Sequence, residues 1–227
     1  FSDYQTGNAS LPAETLDEIE VDWVSGSVDI EIHDQNTIEI REEYTGNDDS
    51  QKLRYRYENG KLSVKFCKPQ WFFGIFHRFE GKNLTLLIPA NLADHLQKVK
   101  IDNVSAAVSV CGLSGNTLDM ETVSGNIRVT DLHFKKIDID GVSADVFLSG
   151  ITAEELEQET VSGGFTMEGT AKTVKADSVS GRLEFTFHEP VAKFRSETVS
   201  GDTLIYLPEE SEFHLKYEKV SGNFRCD

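Results

Sequence analysis

Hydrophobic and polar residues alternate along most of this chain, and the alternation is organised around a recurring tripeptide, Val-Ser-Gly or Val-Ser-Ala. Every copy has an apolar residue five positions before the valine, and most copies have another three positions before it. The alternation resumes four and six positions after the valine. A period of two is typical of a β-strand with one buried face. The copies begin at Val24, Val104, Val123, Val142, Val161, Val179, Val199 and Val220.

The spacing of these copies indicates a repeat protein. From Val104 onward the steps are 19, 19, 19, 18, 20 and 21 residues, and a fixed period near twenty is typical of stacked repeats. Each unit contains a strand, a corner at Ser-Gly, a second strand and a second corner. A glycine or alanine suits the first corner because a bulky side chain would crowd a tight bend.

We therefore predict an all-β fold, a single-stranded β-solenoid or β-helix with coils of about 19–21 residues, taken as right-handed. In this fold Leu118, Ile137 and Leu156 share one buried column. A change in the parity of the alternation predicts a bend or bulge between the third residue before the valine and the valine itself. The direction of the valine side chain stays open.

The N-terminal third does not follow the repeat and is expected to form an antiparallel β-meander that caps the solenoid. Residues 37–43 and 84–88 alternate as strands, and residues 53–66 form a hairpin with Asn59-Gly60 at its tip. We divide the chain into a lead-in at 1–18, a first β coil with the meander and an aromatic loop at 19–98, and the solenoid repeats at 99–227. Together they are expected to form one continuous elongated domain.

The charge composition of the chain excludes some classes of binding partner. The 39 acidic and 22 basic residues give a formal net charge of −17, which argues against binding to nucleic acid or to anionic lipid.

The three cysteines form neither a disulfide framework nor a metal motif, and Cys111 and Cys226 are interpreted as packing residues. The chain begins with phenylalanine and contains no apolar run long enough to cross a bilayer. A signal or membrane anchor is expected outside this sequence.

An acidic residue stands two positions before the valine in every copy. In a solenoid these carboxylates stack, and three middle coils add a second acid two positions earlier. The predicted unrelieved carboxylate cluster consists of Asp119, Glu121, Asp138, Asp140, Glu157 and Glu159. A solvated acidic face is the favoured interpretation, and weak Ca²⁺ capture is the alternative. No metal site or other cofactor is predicted.

Residues 69–79 contain six large apolar side chains without strand alternation. The favoured interpretation is a loop that packs over the sheet. The alternative is an exposed patch that contacts a partner or a membrane through Trp71, Phe72, Phe73 and Phe76.

The sequence offers little support for catalysis. The corner serine recurs eight times, whereas a nucleophile would be singular, and the six histidines form no metal-binding pair. Phosphate-binding and dinucleotide-binding motifs are absent from the sequence. We therefore predict a protein that is not an enzyme.

The residues that carry a family resemblance are Glu-Thr-Val-Ser-Gly at 121–125, 159–163 and 197–201, with variants about every twenty residues and strands that end at Ile-Pro or Leu-Pro. This pattern, over residues 19–227, resembles the bacterial adhesin β-strand-repeat domain, also called the toast-rack domain and long classed as a domain of unknown function. The resemblance implies an extracytoplasmic, often membrane-tethered β-helix, and it brings no catalytic residues. Ala106 and Ala144, in place of the corner glycine, depart from the pattern.

These observations favour a non-catalytic module of the cell surface or envelope, an adhesin or interaction domain whose partner is a protein or a glycan. Two alternatives stay open. One is the extracytoplasmic sensor domain of an envelope-stress system, which would use the aromatic loop. The other is a β-helical enzyme that acts on a polysaccharide.

Overall fold

A computed structural model describes residues 2–46, 48–67, 81–209, 211, 212 and 214. Apart from a 3-10 turn at Ala90–Leu92, the regular elements of these residues are strands. The strands are β1 (Gln5–Thr6), β2 (Ala9–Pro12), β3 (Glu18–Trp23), β4 (Gly26–His33), β5 (Thr37–Glu43), β6 (Arg54–Glu58), β7 (Lys61–Lys65), β8 (Lys82–Pro89), β9 (Leu96–Asn103), β10 (Ala107–Cys111), β11 (Ser114–Thr122), β12 (Ile127–Thr130), β13 (His133–Gly141), β14 (Val146–Thr160), β15 (Phe165–Ser178), β16 (Leu183–Phe187), β17 (Lys193–Thr198) and β18 (Thr203–Tyr206).

The repeats stack in parallel and in register, as the spacing predicts. The front sheet contains the strands that lead into each valine, in the order β7, β3, β9, β11, β13, β14, β15 and β17. The back sheet contains the strands that follow it, in the order β8, β4, β10, β12, β14, β15, β16 and β18. The long strands β14 and β15 run through both sheets. Ile137 pairs with Leu118 on one side and Leu156 on the other, which confirms the β-solenoid.

The first copy of the repeat joins the same stack although about eighty residues separate it from the second. Asp22 pairs with Asp102 in the front sheet, and Val28 pairs with Val108 in the back sheet. The insertion between the two copies therefore does not interrupt the register of the stack.

The core lies between the two sheets. The apolar positions before and after the valine point inward and are buried, and Leu118, Ile137 and Leu156 are fully inaccessible to solvent. Towards the later coils the filling becomes aromatic: the ring of Phe185 lies 5.4 Å from that of Phe165 and 5.0 Å from that of Phe194, between centroids. Larger side chains thus fill the interior there, and like residues stack over like.

The break in the alternation lies at the Val-Ser step, one residue later than predicted. The side chain before the valine is buried in the early coils, as at Trp23, Asn103 and Thr122. The valine and the serine then both face outward, and the next residue faces inward again. The prediction that parity changes before the valine is wrong, because two consecutive outward residues form the corner itself.

The second corner of each coil uses a left-handed backbone conformation. Gly112, Asp131 and Gly150 occupy equivalent places after β10, after β12 and within β14, with φ of 79°, 54° and 67°. Glycine favours this region because it lacks a Cβ atom. In the sequence, a glycine stands eight residues after the valine in three coils, at Gly112, Gly150 and Gly169. This recurrence was the signal for the corner.

The N-terminal region contains the predicted antiparallel strands. β5 covers the predicted span, and β6 and β7 form the predicted hairpin, in which Asn59 and Gly60 both have positive φ, as a tight two-residue turn requires. β1–β6, β2–β5 and β5–β8 are also antiparallel pairs. However, β7 and β8 pair in parallel with β3 and β4, so the meander adds one further coil to the stack. The proposed division at residues 18 and 98 stays a prediction.

A buried ion pair holds this first coil together. The Lys82 ammonium contacts Glu42 Oε1 at 2.5 Å and donates hydrogen bonds to the carbonyl oxygens of Gln51 and Phe66, while both charged side chains are about 2–3% exposed. The same ammonium lies 4.0 Å from the centroid of the Phe66 ring. Burial lowers the pKa of Lys82, whereas the Glu42 carboxylate opposes that shift. The alternating sequence pattern gave no sign of this pair.

Candidate functional site: the acidic face and the valine ladder

The outer surface of the front sheet brings the predicted acidic residues together. Glu121 pairs with Asp140, and Asp140 pairs with Glu159, on neighbouring strands. Two residues earlier, Asp119, Asp138 and Glu157 are paired in the same way. All six point away from the core, because they alternate with the buried columns of the same strands. The stacking that the repeat predicted is therefore present, and we name this surface the acidic face.

The prediction that this cluster is unrelieved is wrong, because lysines approach it from several coils. Lys98 lies 2.9 Å from Asp119, and Lys100 lies 3.6 Å from Glu121. Lys136 lies between Asp138, at 3.4 Å, and Glu157, at 2.6 Å. Lys98 and Lys136 stand six residues before the valine, two positions further from it than the second acid of the middle coils.

Compensation nevertheless stays incomplete at the centre of the acidic face. Lys175 contacts both Glu159, at 3.0 Å, and Asp177, at 3.3 Å, so one ammonium serves two carboxylates. Asp140 forms no ion pair within the part of the chain that the structure describes. Burial, followed by the repulsion of Asp138 and Glu159, raises the pKa of Asp140 from 3.8 to about 6. The middle of the face therefore carries uncompensated negative potential.

The raised pKa of Asp140 predicts that the charge of this carboxylate destabilises the fold at neutral pH. Because the pKa of Asp140 is raised in the fold, its contribution to stability is present below about pH 4 and is lost as the pH rises through about 6. We expect Asp140→Asn to raise the midpoint of thermal unfolding at pH 7 and to leave it unchanged at pH 4.

Glu157→Gln is the matched control on the same face. The hydrogen bond from Lys136 lowers the pKa of Glu157, so its charge stabilises the fold above the ordinary pKa of glutamate. We expect this variant to unfold at a lower temperature than the wild type at pH 7. Thermal melts followed by circular dichroism test both signs, and a drop in the Asp140→Asn midpoint at pH 7 would contradict the assignment.

Beside the acidic face, the repeat valines form an exposed row, which we name the valine ladder. The five valines in the inner coils are 44–48% exposed, and the last is 77% exposed. Its members are Val104, Val123, Val142, Val161, Val179 and Val199. Val24, in the first coil, packs partly against the core instead. The sequence left the direction of these side chains open, and the structure places an apolar row on the surface.

The corner serines from Ser105 to Ser200 each have a structural partner in the preceding coil. The hydroxyl of Ser143 donates a hydrogen bond to the carbonyl oxygen of Val123 at 3.2 Å, and the backbone N–H of Ser143 donates to the same oxygen at 2.9 Å. Equivalent hydroxyl bonds of 2.9–3.4 Å recur from Ser105 to Ser200. Serine at this place therefore links successive coils, which accounts for its repetition without a catalytic role.

Buried polar side chains one residue before the valine close the corner from inside. Asn103 donates from Nδ2 to the carbonyl oxygen of Ala106 at 2.7 Å and accepts from the Ala106 N–H at 3.0 Å. Thr122 and Ser178 accept the equivalent N–H of Gly125 and Gly181. Sequence reasoning missed this role, although the Thr, Asn or Ser before most repeat valines was its signal.

The other predicted contacts are not tested by the described residues. Trp71, Phe72, Phe73 and Phe76 lie outside them, so a contact role for these residues stays a prediction. Among the residues that can be described, no group of three or more His, Cys, Asp or Glu side chains is arranged to hold a metal ion. Cys67 is buried, Cys111 is a free thiol, and Cys226 lies outside the described part. Over the same residues, no helix has the length and hydrophobicity needed to span a membrane.

Parallel coils that stack in register, with the same types of side chain on the outer surface of each coil, define a β-solenoid of the repeat-protein class. Residues 16–227 match the model of the family described as Toastrack DUF4097, and the chain belongs to that family. The resemblance that the Glu-Thr-Val-Ser-Gly repeats carry is thereby confirmed. The search of curated proteins found no match.

The chain is similar to several solved structures at low sequence identity. A protein from Bacteroides fragilis named as a candidate adhesin is 12% identical, with a TM-score of 0.53 over 90% of this chain and 97% of its own. A protein from Clostridium sporogenes named for cell adhesion is 10% identical, with a TM-score of 0.49 over 90% and 100%. A protein from Parabacteroides distasonis named for lipid binding is 14% identical, with a TM-score of 0.45 over 88% and 96%.

Proposed function

We propose that this chain is a non-catalytic interaction module of the bacterial cell surface or envelope, and that its acidic face and valine ladder contact a partner protein or glycan. The observation that carries the proposal is the repetition of the same outward residues on successive coils, in register. Repetition of this kind produces a long uniform surface, which suits an extended partner. An active site, in contrast, needs a few groups that occur once.

The partners of the corner serines support a role without catalysis. The hydroxyls from Ser105 to Ser200 are bonded to the backbone of the neighbouring coil, as at Ser143 and Val123, whereas a catalytic serine would be bonded to a general base. The carboxylates of the acidic face are members of repeated columns rather than a pair that occurs once. The name of the Bacteroides fragilis structure, a candidate adhesin, agrees with a location at the cell surface.

A pair of charge-neutralised variants tests the proposal. The first carries Glu121→Gln, Asp140→Asn and Glu159→Gln on the acidic face, and the second carries Glu168→Gln and Glu184→Gln on the outer surface of the back sheet. Both are compared with the wild type on a glycan array and against detergent-solubilised envelope proteins. We expect the first variant to lose at least about tenfold in affinity for whatever the wild type binds.

The control variant is expected to bind like the wild type. Equal binding by all three proteins would contradict the proposal, because the acidic face would then make no contribution. Removal of residues 70–79 in a further variant distinguishes this face from the aromatic loop. Loss of binding with that deletion alone would favour the loop instead.

A further inference from the structure

The valine ladder has no role in the core of the solenoid. Each of its members from Val104 to Val179 is almost half exposed, although the strands place apolar residues inward at the neighbouring columns. Single exposed apolar residues are normal on protein surfaces, but a straight row on six successive coils is a contiguous apolar patch, and such patches mark contact sites.

Strand propensity alone does not account for valine at this place. Threonine is also β-branched and suits a strand equally well, and this chain uses threonine at the adjacent position in Thr122, Thr160 and Thr198. Threonine at the exposed position would satisfy the backbone and avoid an apolar surface. The presence of valine instead therefore indicates that the row is covered by something apolar.

At the corner of Val142 the backbone is already bonded to the preceding coil. The N–H of Val142 donates to the carbonyl oxygen of Thr122 at 3.1 Å, and the N–H of Ser143 donates to that of Val123 at 2.9 Å. The neighbouring coil therefore already uses the groups that an added strand would need. Recognition along the ladder must use side chains, which favours a partner whose own backbone is satisfied, as in a helix.

The charges beside the ladder select the chemistry of the partner. The carboxylates two residues before the valines form a parallel row, in which Asp140 has no described lysine contact and Lys100 and Lys175 are each shared by two carboxylates. A second copy of this chain would bring a like charge against this row, and an anionic membrane would do the same. A segment rich in lysine or arginine would neutralise it.

We propose that the valine ladder and the adjoining acidic row bind a basic amphipathic helix of a partner protein, which lies along the axis of the solenoid. This inference rests on the proposed function and specifies its partner. Coils spaced by about 4.8 Å place Val104 and Val199 about 24 Å apart, which corresponds to about sixteen helical residues. An apolar stripe at every third or fourth residue would lie on the valines, with lysines or arginines beside it over the carboxylates.

The test uses a synthetic peptide of eighteen residues, composed of leucine and lysine, with the leucines on one helical face. Fluorescence anisotropy gives its affinity, and circular dichroism reports helix formation on binding. A scrambled peptide of the same composition removes the stripe but keeps the charge. We expect the wild type to bind the amphipathic peptide at least about tenfold more tightly than the scrambled one.

Variants then separate the apolar and the charged contributions. Val123→Thr, Val142→Thr and Val161→Thr together keep the β-branched shape, and we expect them to weaken binding by about tenfold or more. Phe147→Thr, at a residue 39% exposed on the back sheet, is the matched control and is expected to leave the affinity unchanged. Thermal melts of all variants establish that they are folded. Asp140→Asn with Glu159→Gln is expected to reduce the salt dependence of binding.

Three results would each overturn the inference. The wild type could bind the two peptides with equal affinity, or it could fail to bind the amphipathic peptide. The triple valine variant could also bind that peptide as tightly as the wild type does. The proposed function fails on a different result, namely indifference of the natural partner to neutralisation of the acidic face. If the natural partner is lost from that variant but retained by the triple valine variant, the proposed function stands and the helix-binding inference falls.

Discussion

Replacement of Lys82 by methionine is expected to destabilise the protein by about 3–5 kcal/mol, because it leaves the Glu42 carboxylate buried without its counter-ion. Glu42 is 3% exposed, and its other described bonds come from the backbone N–H of Leu53. The same substitution removes the hydrogen bonds that the ammonium donates to the carbonyl oxygens of Gln51 and Phe66. Urea unfolding followed by circular dichroism measures the loss.

Two further variants make this prediction specific. The double variant Lys82→Met with Glu42→Gln removes both charges and is expected to recover part of the loss, because the amide can still accept from the Leu53 N–H. Lys100→Met removes a partly exposed lysine from the front sheet and is expected to cost less than about 1 kcal/mol. Similar midpoints for Lys82→Met and Lys100→Met would show that the buried pair does not hold the first coil.

Replacement of Gly125 by alanine is the second large effect. A Cβ atom at this corner would lie 1.8 Å from the carbonyl oxygen of Ala106 in the preceding coil. The backbone of at least one coil must therefore shift, and its corner hydrogen bonds must lengthen with it. We expect a destabilisation of about 1–3 kcal/mol in urea unfolding.

Gly141 offers a matched control, because it is a glycine beside the equivalent corner of the next coil and a Cβ atom there would not clash. A Cβ atom there would meet Thr122, Thr160 and Ala144 at 3.8–3.9 Å, which is ordinary contact, and Gly141 is not among the residues with positive φ. Gly141→Ala is expected to stabilise the fold by about 0.4–1 kcal/mol through the lower entropy of the unfolded chain. A shift of both variants in the same direction would contradict this account of the corner.

The β-solenoid could be predicted from the sequence because two independent patterns indicate it. One is the period of about nineteen residues, and the other is the alternation of apolar and polar residues. The column of Leu118, Ile137 and Leu156 follows directly from a spacing of nineteen residues and from parity. The Asn59-Gly60 turn was also predictable, because few dipeptides adopt two consecutive positive φ angles. In these cases the physical rule acts on residues that are close in sequence.

The candidate site was only partly predictable, because its details depend on distances across coils. The acidic residues were identified, but the approach of Lys136 to Glu157 depends on the reach of a side chain from another column. The exposure of Val142 depends on where parity breaks, and the pattern placed that break one residue too early. The Lys82–Glu42 pair joins residues forty positions apart outside the repeat, where no periodicity can reveal it.

The direction of the backbone hydrogen bonds has a mechanical consequence. Successive coils are joined by backbone hydrogen bonds that run along the stacking axis. Tension applied along that axis therefore breaks the hydrogen bonds of one coil after another rather than all of them together. A coil of nineteen residues that peels away releases about 65 Å of extended chain. A tether of this construction would lengthen in small steps at modest force, and so absorb sudden strain between two attached bodies.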